Sequence, residues 1–164
     1  MIFRVFVSFL LTTAISLAVP KPFGLNIGST GHRQAKELFK DLKRIGNVEV
    51  NGYKAYLTTH PDIGLFGLQS LTLVFNHSDN LVSVAAAFQK TRHADLKKIL
   101  TEKYKLLSDM SSNEKNTALY FEADKLLITF DSLEYADSIS LIYAEKNYYT
   151  DLKTKELERE RELL

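Results

Sequence analysis

The chain has 164 residues, of which 45% are hydrophobic and 25% are charged, and its formal net charge at pH 7 is +1. These values are not those of an intrinsically disordered chain, and the chain is not basic enough to suggest that it binds nucleic acid. The absence of cysteine excludes a disulfide-stabilised scaffold, a thiolate nucleophile and the lipidated cysteine of a lipoprotein.

The first 18 residues have the pattern of a secretory signal peptide. Arg4 supplies a positive charge, residues 5–17 are almost wholly apolar, and small residues occupy the −3 and −1 positions of a cleavage site after Ala18. We expect export and cleavage near Ala18, which leaves 19–164 as a single domain without a permanent membrane anchor. The alternative is a leader that is not cleaved and anchors the chain. With the lack of cysteine, the leader favours the periplasm or secretion from a bacterial cell.

The segment after the leader predicts a short strand that runs into a helix. Alternating apolar residues in 23–27 predict the strand, and Ser29 or Thr30 is suited to cap the helix. Gly46 is placed to end that helix, as glycine often does. The apolar stripe of the helix, with spacings of three and four residues, consists of Ala35, Leu38, Phe39, Leu42 and Ile45.

A β-rich stretch follows this first helix. A polar turn at 76–80 joins its last two strands, which indicates an antiparallel hairpin. The strands are predicted where apolar residues alternate or cluster, at 48–50, 53–57, 71–75 and 81–88.

The same order of elements then repeats. Thr91 is suited to cap a second amphipathic helix, and alternation predicts strands at 119–121, 126–130 and 139–143. The chain ends in a charged helix over 149–164, supported by opposite charges three residues apart. The apolar stripe of the second helix consists of Leu96, Ile99, Leu100 and Tyr104.

Helices and antiparallel strands in this order predict an α+β fold, in which an antiparallel sheet carries the helices on one face. The two halves, 23–90 and 91–148, suggest a tandem helix-then-strands repeat. Few residues match between the halves, so the repeat is a hypothesis about architecture. The residues that align, at an offset of 61, are Thr30, His32 and Phe39 with Thr91, His93 and Leu100.

The segment Phe-Gly-Leu-Asn-Ile-Gly-Ser-Thr, from Phe23 to Thr30, resembles the opening of small exported bacterial proteins in which a strand passes through Gly-x-Thr/Ser into a helix. Those proteins also share a terminal Tyr-Tyr-x-x-Leu helix, here Tyr148 to Leu152. A more distant resemblance is to the β-lactamase-inhibitor-protein class and to the small outer-membrane assembly lipoproteins (SmpA/OmlA). These resemblances imply a compartment and a shape, and they imply no activity.

No catalytic, metal or cofactor site is predicted. The four histidines have no spacing that places two of them on one helix face or strand: His32, His60, His77 and His93. His32 and His93 lie near the two predicted helix starts, and they would meet if the helices packed side by side. The sequence contains no phosphate-binding loop and no Gly-x-Ser-x-Gly motif.

Tyrosines in the predicted strands are the most useful sign of a contact surface. Tyr120 is out of phase with its apolar neighbours, so it should face away from the helices. With Tyr53 or Tyr56, it would form a protein-contact surface on a bare sheet face, because tyrosine is enriched at binding hot spots. The alternative is that these rings are ordinary cross-strand pairs that stiffen the sheet.

Two functions remain open at the level of the sequence. The first is an exported, non-enzymatic envelope protein that binds another envelope protein or a small ligand, without a cofactor. The second is an enzyme of unrecognised type, which would use histidines and carboxylates in a pocket near Pro61 or Asp131. The second requires that at least one histidine and one carboxylate share a pocket.

Overall fold

The computed structural model describes residues 20–48, 51–113 and 115–163. The leader predicted at 1–18 lies outside these residues, and so does part of the strand predicted at 48–50. The described residues form one eight-stranded antiparallel sheet and three α-helices.

The elements occur in an order that confirms the α+β class. Short 3-10 turns at Pro22–Gly24 and Lys90–Arg92 precede the first two helices. The elements are α1 (His32–Leu38), β1 (Lys43–Asn47), β2 (Lys54–Thr58), β3 (Leu68–Phe75), β4 (Leu81–Gln89), α2 (His93–Lys103), β5 (Lys105–Asp109), β6 (Thr117–Ala123), β7 (Leu126–Ser132), β8 (Ser138–Glu145) and α3 (Lys146–Leu163).

The strand order in the sheet is β1-β2-β3-β4-β8-β7-β6-β5. Each half of the chain therefore supplies one helix and a four-stranded meander, and the two meanders meet where their last strands, β4 and β8, pair. This pairing extends from Ser83 opposite Ala144 to Gln89 opposite Ser138. The predicted helix-then-strands order thus occurs twice in the structure.

The main core lies between the sheet and the helices α1 and α2. Its strand residues alternate along each strand, because every second side chain points to the same face of a sheet. They include Leu71, Leu73, Phe75, Val84, Ala86, Phe88, Leu119, Phe121, Ile128, Phe130, Ile139 and Leu141. The helices contribute Ala35 from α1 and Leu96 and Leu100 from α2.

The helix α3 lies on the opposite face of the sheet, which the sequence had suggested was bare. Tyr148 is 5% exposed, and it packs with Val74, Val82 and Ala144 in a second apolar cluster. Its ring stacks on Tyr53 with the centroids 6.0 Å apart. The first turns of α3 are therefore fixed to the sheet, while most of its later side chains are exposed.

The first helix is shorter than its apolar stripe predicts. It ends at Leu38, and the chain then continues without regular structure through Phe39 and Leu42, which are both buried. Ile45 lies in β1 and is 55% exposed. Phe39 and Leu42 therefore have a helical spacing in the sequence, but they lie in an irregular segment, where both are buried.

The segment before α1 also differs from its predicted form. Phe23 has φ of 56° inside the 3-10 turn, where a strand was predicted. Thr30 does not cap the helix, because its hydroxyl accepts a hydrogen bond from the Asn26 amide at 2.8 Å. The cap position belongs to Gly31, and the Asp79 carboxylate accepts a hydrogen bond from the following amide, that of His32, at 3.2 Å.

The two edge strands, β1 and β5, each contain a register shift against their neighbours. In β1 the shift lies between Arg44 and Gly46, and in β5 it lies between Leu106 and Ser108. The strand β5 was not predicted, because all five of its residues are exposed and show no apolar alternation. An exposed edge strand leaves little of the pattern on which such predictions depend.

Candidate functional site

The predicted contact tyrosines lie on both faces of the sheet. Tyr120 points away from α1 and α2, as its phase predicted, and it pairs in register with Thr129, which pairs in turn with Ile142. Tyr53 lies on this same face in the cluster that anchors α3. Tyr56 lies on the other face, where its ring packs edge-on against Phe75 at 5.6 Å.

A groove of about 490 Å³ lies between α3 and the row of side chains that begins with Tyr120. Its floor belongs to β6, β7 and β8, and one wall belongs to α3. The residues that line it are Val48, Tyr120, Thr129, Asp131, Ile142, Tyr149, Leu152, Lys153, Lys155, Glu156 and Arg159. We refer to this space as the α3 groove.

The wall of the α3 groove follows from helical spacing. Tyr149, Leu152 and Lys153 are three and four residues apart, so they share one side of the helix above the sheet. Burial, and then the neighbouring Tyr120 hydroxyl, raises the pKa of Tyr149. The two tyrosines therefore bring two hydroxyl groups close together in the groove.

Asp131 is the acidic group on the floor of the α3 groove. Burial raises the pKa of its carboxyl group, and the positive charge of Lys153 opposes this effect. Among the described residues, the carboxyl group has no hydrogen-bond donor that would stabilise its ionised form. Asp131 therefore presents free acceptor atoms toward the groove.

Two lysines at the rim of the groove are already paired within α3. Lys153 Nζ donates a hydrogen bond to Glu156 Oε2 at 2.6 Å, and Lys155 Nζ lies 3.8 Å from Glu158 Oε2. These pairs join residues three apart on the exposed helix surface. The two lysines at the rim thus have carboxylate partners on α3, whereas Asp131 on the floor accepts no hydrogen bond from the described residues.

Tyr120 is a contact residue that the sequence predicted, but its partners on α3 were not predicted. The signal for them was present in the Tyr-Tyr-x-x-Leu pattern, because Tyr149 and Leu152 are apolar positions in a helix that is otherwise charged. Tyr53 does not line the groove. Its ring packs between Tyr148 and His77, with the His77 centroid at 5.3 Å, so it supports α3 from below.

The structure does not bring His32 and His93 together. His32 packs against Phe75 on β3, and His93 packs against Phe130 on β7. The strands β3 and β7 are separated by β4 and β8, a distance of about 14 Å across the sheet. In the described parts of the chain, no three His, Cys, Asp or Glu side chains form a group that could hold a metal ion.

A second concave site surrounds His93, at the start of α2. Its Nε2 lies 3.0 Å from the Thr117 hydroxyl, and burial, followed by the charges of Lys97 and Lys90, lowers the pKa of the imidazole. Thr117 is only 1% exposed. The site is lined by Lys90, His93, Lys115, Ser132, Glu134, Ala136 and Asp137.

The regions in which an enzyme site was predicted differ in whether a histidine and a carboxylate lie together in a pocket. Near Pro61, His60 Nδ1 lies 3.9 Å from Asp41 Oδ2, but the His60 side chain is 88% exposed. Around Asp131, the groove has no histidine among its lining residues. Among the described residues, the concave site around His93 combines a histidine with the carboxylates of Glu134 and Asp137.

No helix in the described ranges is both long and apolar enough to cross a membrane. No family model, no curated protein and no solved structure matches this chain.

Proposed function

We propose that this chain is an exported, non-enzymatic envelope protein that binds a segment of another envelope protein in the α3 groove. The observation that carries the proposal is the combination of Tyr120, Tyr149 and Asp131 in one concave site of about 490 Å³. The leader pattern before Ala18 and the resemblance of the opening segment to exported bacterial proteins support the compartment.

The chemistry of the groove favours a basic side chain on the partner. Asp131 lacks a hydrogen-bond donor in the described structure, and a lysine or arginine from the partner would supply one. A charge-assisted hydrogen bond of this kind is stronger than one between neutral groups. The same bond would favour the ionised form of Asp131, so binding is expected to lower its pKa.

The shape of the groove favours a polypeptide. Its floor spans β6, β7 and β8, which is about 10 Å from the first strand to the third. An extended chain covers this distance with about three residues. Ile142, Leu152 and the two tyrosine rings would contact apolar side chains on either side of the basic one.

Two synthetic hexapeptides test this binding directly with the purified chain. One alternates leucine with lysine and the other alternates leucine with glutamate, so that the two peptides differ only in the charged residue. We expect the lysine peptide to bind at least tenfold more tightly in fluorescence polarisation, and we expect Asp131→Ala to remove this preference. Equal affinity for both peptides, or a preference that survives Asp131→Ala, would contradict the proposal.

A photo-crosslinking amino acid at position 120 tests the groove in cells. We expect it to crosslink one partner, and we expect the adduct to disappear when Asp131→Ala is added. Position 135 provides the matched control, because Tyr135 is 83% exposed and does not line the groove. The same adduct from both positions would show contact without a specific site.

The alternative function is an enzyme that uses His93 with Glu134 or Asp137. The observation in its favour is their common site. Two contacts favour the binding function instead: Thr117, the hydroxyl partner of His93, is buried, and Glu134 Oε1 lies 2.7 Å from Lys115 Nζ. Hydrolysis of an ester or phosphate substrate that His93→Gln abolishes would establish the enzyme and overturn the binding proposal.

A further inference from the structure

A second cavity lies on the α1 and α2 side of the sheet, opposite the α3 groove. It has a volume of about 220 Å³ and lies among α2, the turn at Pro22–Gly24 and the loop between β2 and β3. Its inner walls are almost wholly apolar or aromatic. They are formed by Pro22, Phe23, Phe88, Leu96, Leu100, Tyr104, Leu141 and Tyr143.

Aromatic rings in contact with one another build the inner wall. The Phe23 centroid lies 6.3 Å from Phe88 and 6.1 Å from Tyr143, and Tyr104 lies 6.2 Å from Tyr143. Phe23 reaches this position with φ of 56°, which is unfavourable for a bulky side chain. Strained residues of this kind concentrate at sites that hold ligands.

The mouth of the cavity is apolar at its edge and basic around it. Leu65 and Ile99 are 46% and 48% exposed there. Lys21, Arg92 and Lys103 also line the cavity, and none of its described lining residues is acidic. The charge at the mouth is therefore complementary to an anion.

Arg92 is the most enclosed of these cations. Its Nη1 donates a hydrogen bond to the Phe66 carbonyl oxygen, and its guanidinium lies 5.8 Å from the Phe66 ring centroid. Its Nε is buried and has no hydrogen-bond partner among the described residues. The Asp95 carboxylate lies 3.4 Å from that Nε, but the Asp95 side chain is 68% exposed.

From these contacts we propose that the cavity binds a small apolar carboxylate, with its hydrocarbon part against the aromatic wall and its carboxylate on Arg92. A cavity of about 150 Å³ holds benzene, so 220 Å³ accommodates one ring with a short side chain. The carboxylate of the ligand would replace the exposed Asp95 carboxylate beside Nε and pair with the guanidinium in the planar geometry that arginine offers to such groups. Lys21 and Lys103 would add to the positive potential around it.

Three compounds of one size test the charge preference: 3-phenylpropionate, 3-phenylpropan-1-ol and 3-phenylpropylamine. We expect calorimetric titration of the intact domain to show the acid binding at least tenfold more tightly than the alcohol, and the amine most weakly. Amide shift changes in the nuclear magnetic resonance spectrum should map to α2 and to the turn at Pro22–Gly24. Equal affinity of acid and alcohol, or shifts confined to the α3 groove, would overturn the proposal.

Variants then test separately the effect of the basic side chains and the effect of the shape of the cavity. Arg92→Gln should remove the preference for the acid, and Lys103→Gln should reduce it, while the alcohol binds as before. Ile99→Trp should block all three compounds without loss of folding, because Ile99 is half exposed at the mouth. Binding that survives Ile99→Trp in a folded protein would exclude this cavity as the site.

The test is independent of the function proposed for the other face. Asp131→Ala and Tyr120→Phe alter the α3 groove and should leave the affinity for 3-phenylpropionate unchanged. If these two variants weaken it as much as Arg92→Gln does, the acid is bound in the groove and the cavity proposal fails. Failure of the basic peptide to bind has no bearing on this result.

Discussion

Asp41 holds the irregular segment after α1 to the end of β2. Its Oδ1 accepts a hydrogen bond from the Thr58 hydroxyl at 2.5 Å, and its Oδ2 accepts from the amides of Thr59 and His60 at 3.2 and 3.3 Å. Asp41→Ala leaves the fully buried Thr58 hydroxyl without this partner. We expect the free energy of unfolding in urea at pH 7 to fall by about 1–3 kcal/mol.

The pH dependence of this effect follows from the same contacts. The Thr58 hydrogen bond, followed by those from the two amides, lowers the pKa of Asp41. Stability from a lowered carboxyl pKa is present above the unfolded value, near 3.8, and is lost as the pH falls through the folded value. The difference between Asp41→Ala and wild type should shrink below about pH 4. A constant difference down to pH 2, or an equal loss in the exposed control Asp62→Ala, would contradict this account.

His93 gives a second prediction of pH dependence, with the same sign as that of Asp41, because burial lowers the pKa of its imidazole. The unfolded chain binds the proton more readily, so stability is lost as the pH falls from the ordinary histidine value of 6.5 through the folded value. Urea unfolding at pH 7 and pH 5 should show a smaller loss of stability in His93→Gln than in wild type. His60→Gln should retain the wild-type loss, because its side chain is 88% exposed.

At the scale of elements, the two ends of α3 have separate roles. Tyr148→Ala should cost about 3 kcal/mol of unfolding free energy, because Tyr148 is 5% exposed in the apolar cluster beneath the helix.

Deleting 156–164 should change stability by less than about 0.5 kcal/mol, since its described residues are exposed. The deletion removes Glu156 and Arg159 from the groove wall, so the lysine hexapeptide should bind more weakly. Unchanged peptide affinity would show that this wall is not used.

The elements that were predicted correctly from the sequence are those in which one face lies in the main core and the other face does not. The strands β3, β4, β7 and β8 have one face in the main core, so their alternation was visible. The end of α1 was predicted wrongly, because Phe39 and Leu42 keep a helical spacing while lying in an irregular segment. The path of this segment depends on Asp41 and the end of β2, which are contacts between distant residues that spacing does not encode.

The candidate sites were predictable to a smaller extent. The phase of Tyr120 gave its face correctly, because neighbouring residues of a strand alternate. The groove also requires that α3 lies back across that face. The direction of α3 is set by the contact between Tyr148 and Tyr53, which are distant in the sequence. The cavity at Arg92 requires the positive φ of Phe23, where alternation had predicted a strand.

At the scale of the whole molecule, the two halves meet mainly through β4 and β8, which pair over seven residue positions. We expect fragments 20–89 and 90–163, expressed together, to form a complex that purifies as one species. Ala86→Arg should abolish it, because Ala86 is 2% exposed in the main core. Ala87→Arg, one position along on the other face, should be tolerated far better. Equal effects of the two substitutions would show that the core face does not hold the halves together.

The register shifts in β1 and β5 have a consequence for how this protein behaves at high concentration. Both strands are open edges, and the backbone of an open edge can pair with another molecule and begin a fibre. An extra residue on each edge disturbs the regular spacing that such pairing needs, and each edge strand begins with a lysine, Lys43 or Lys105. A sheet eight strands wide is thus protected against polymerisation at both of its ends.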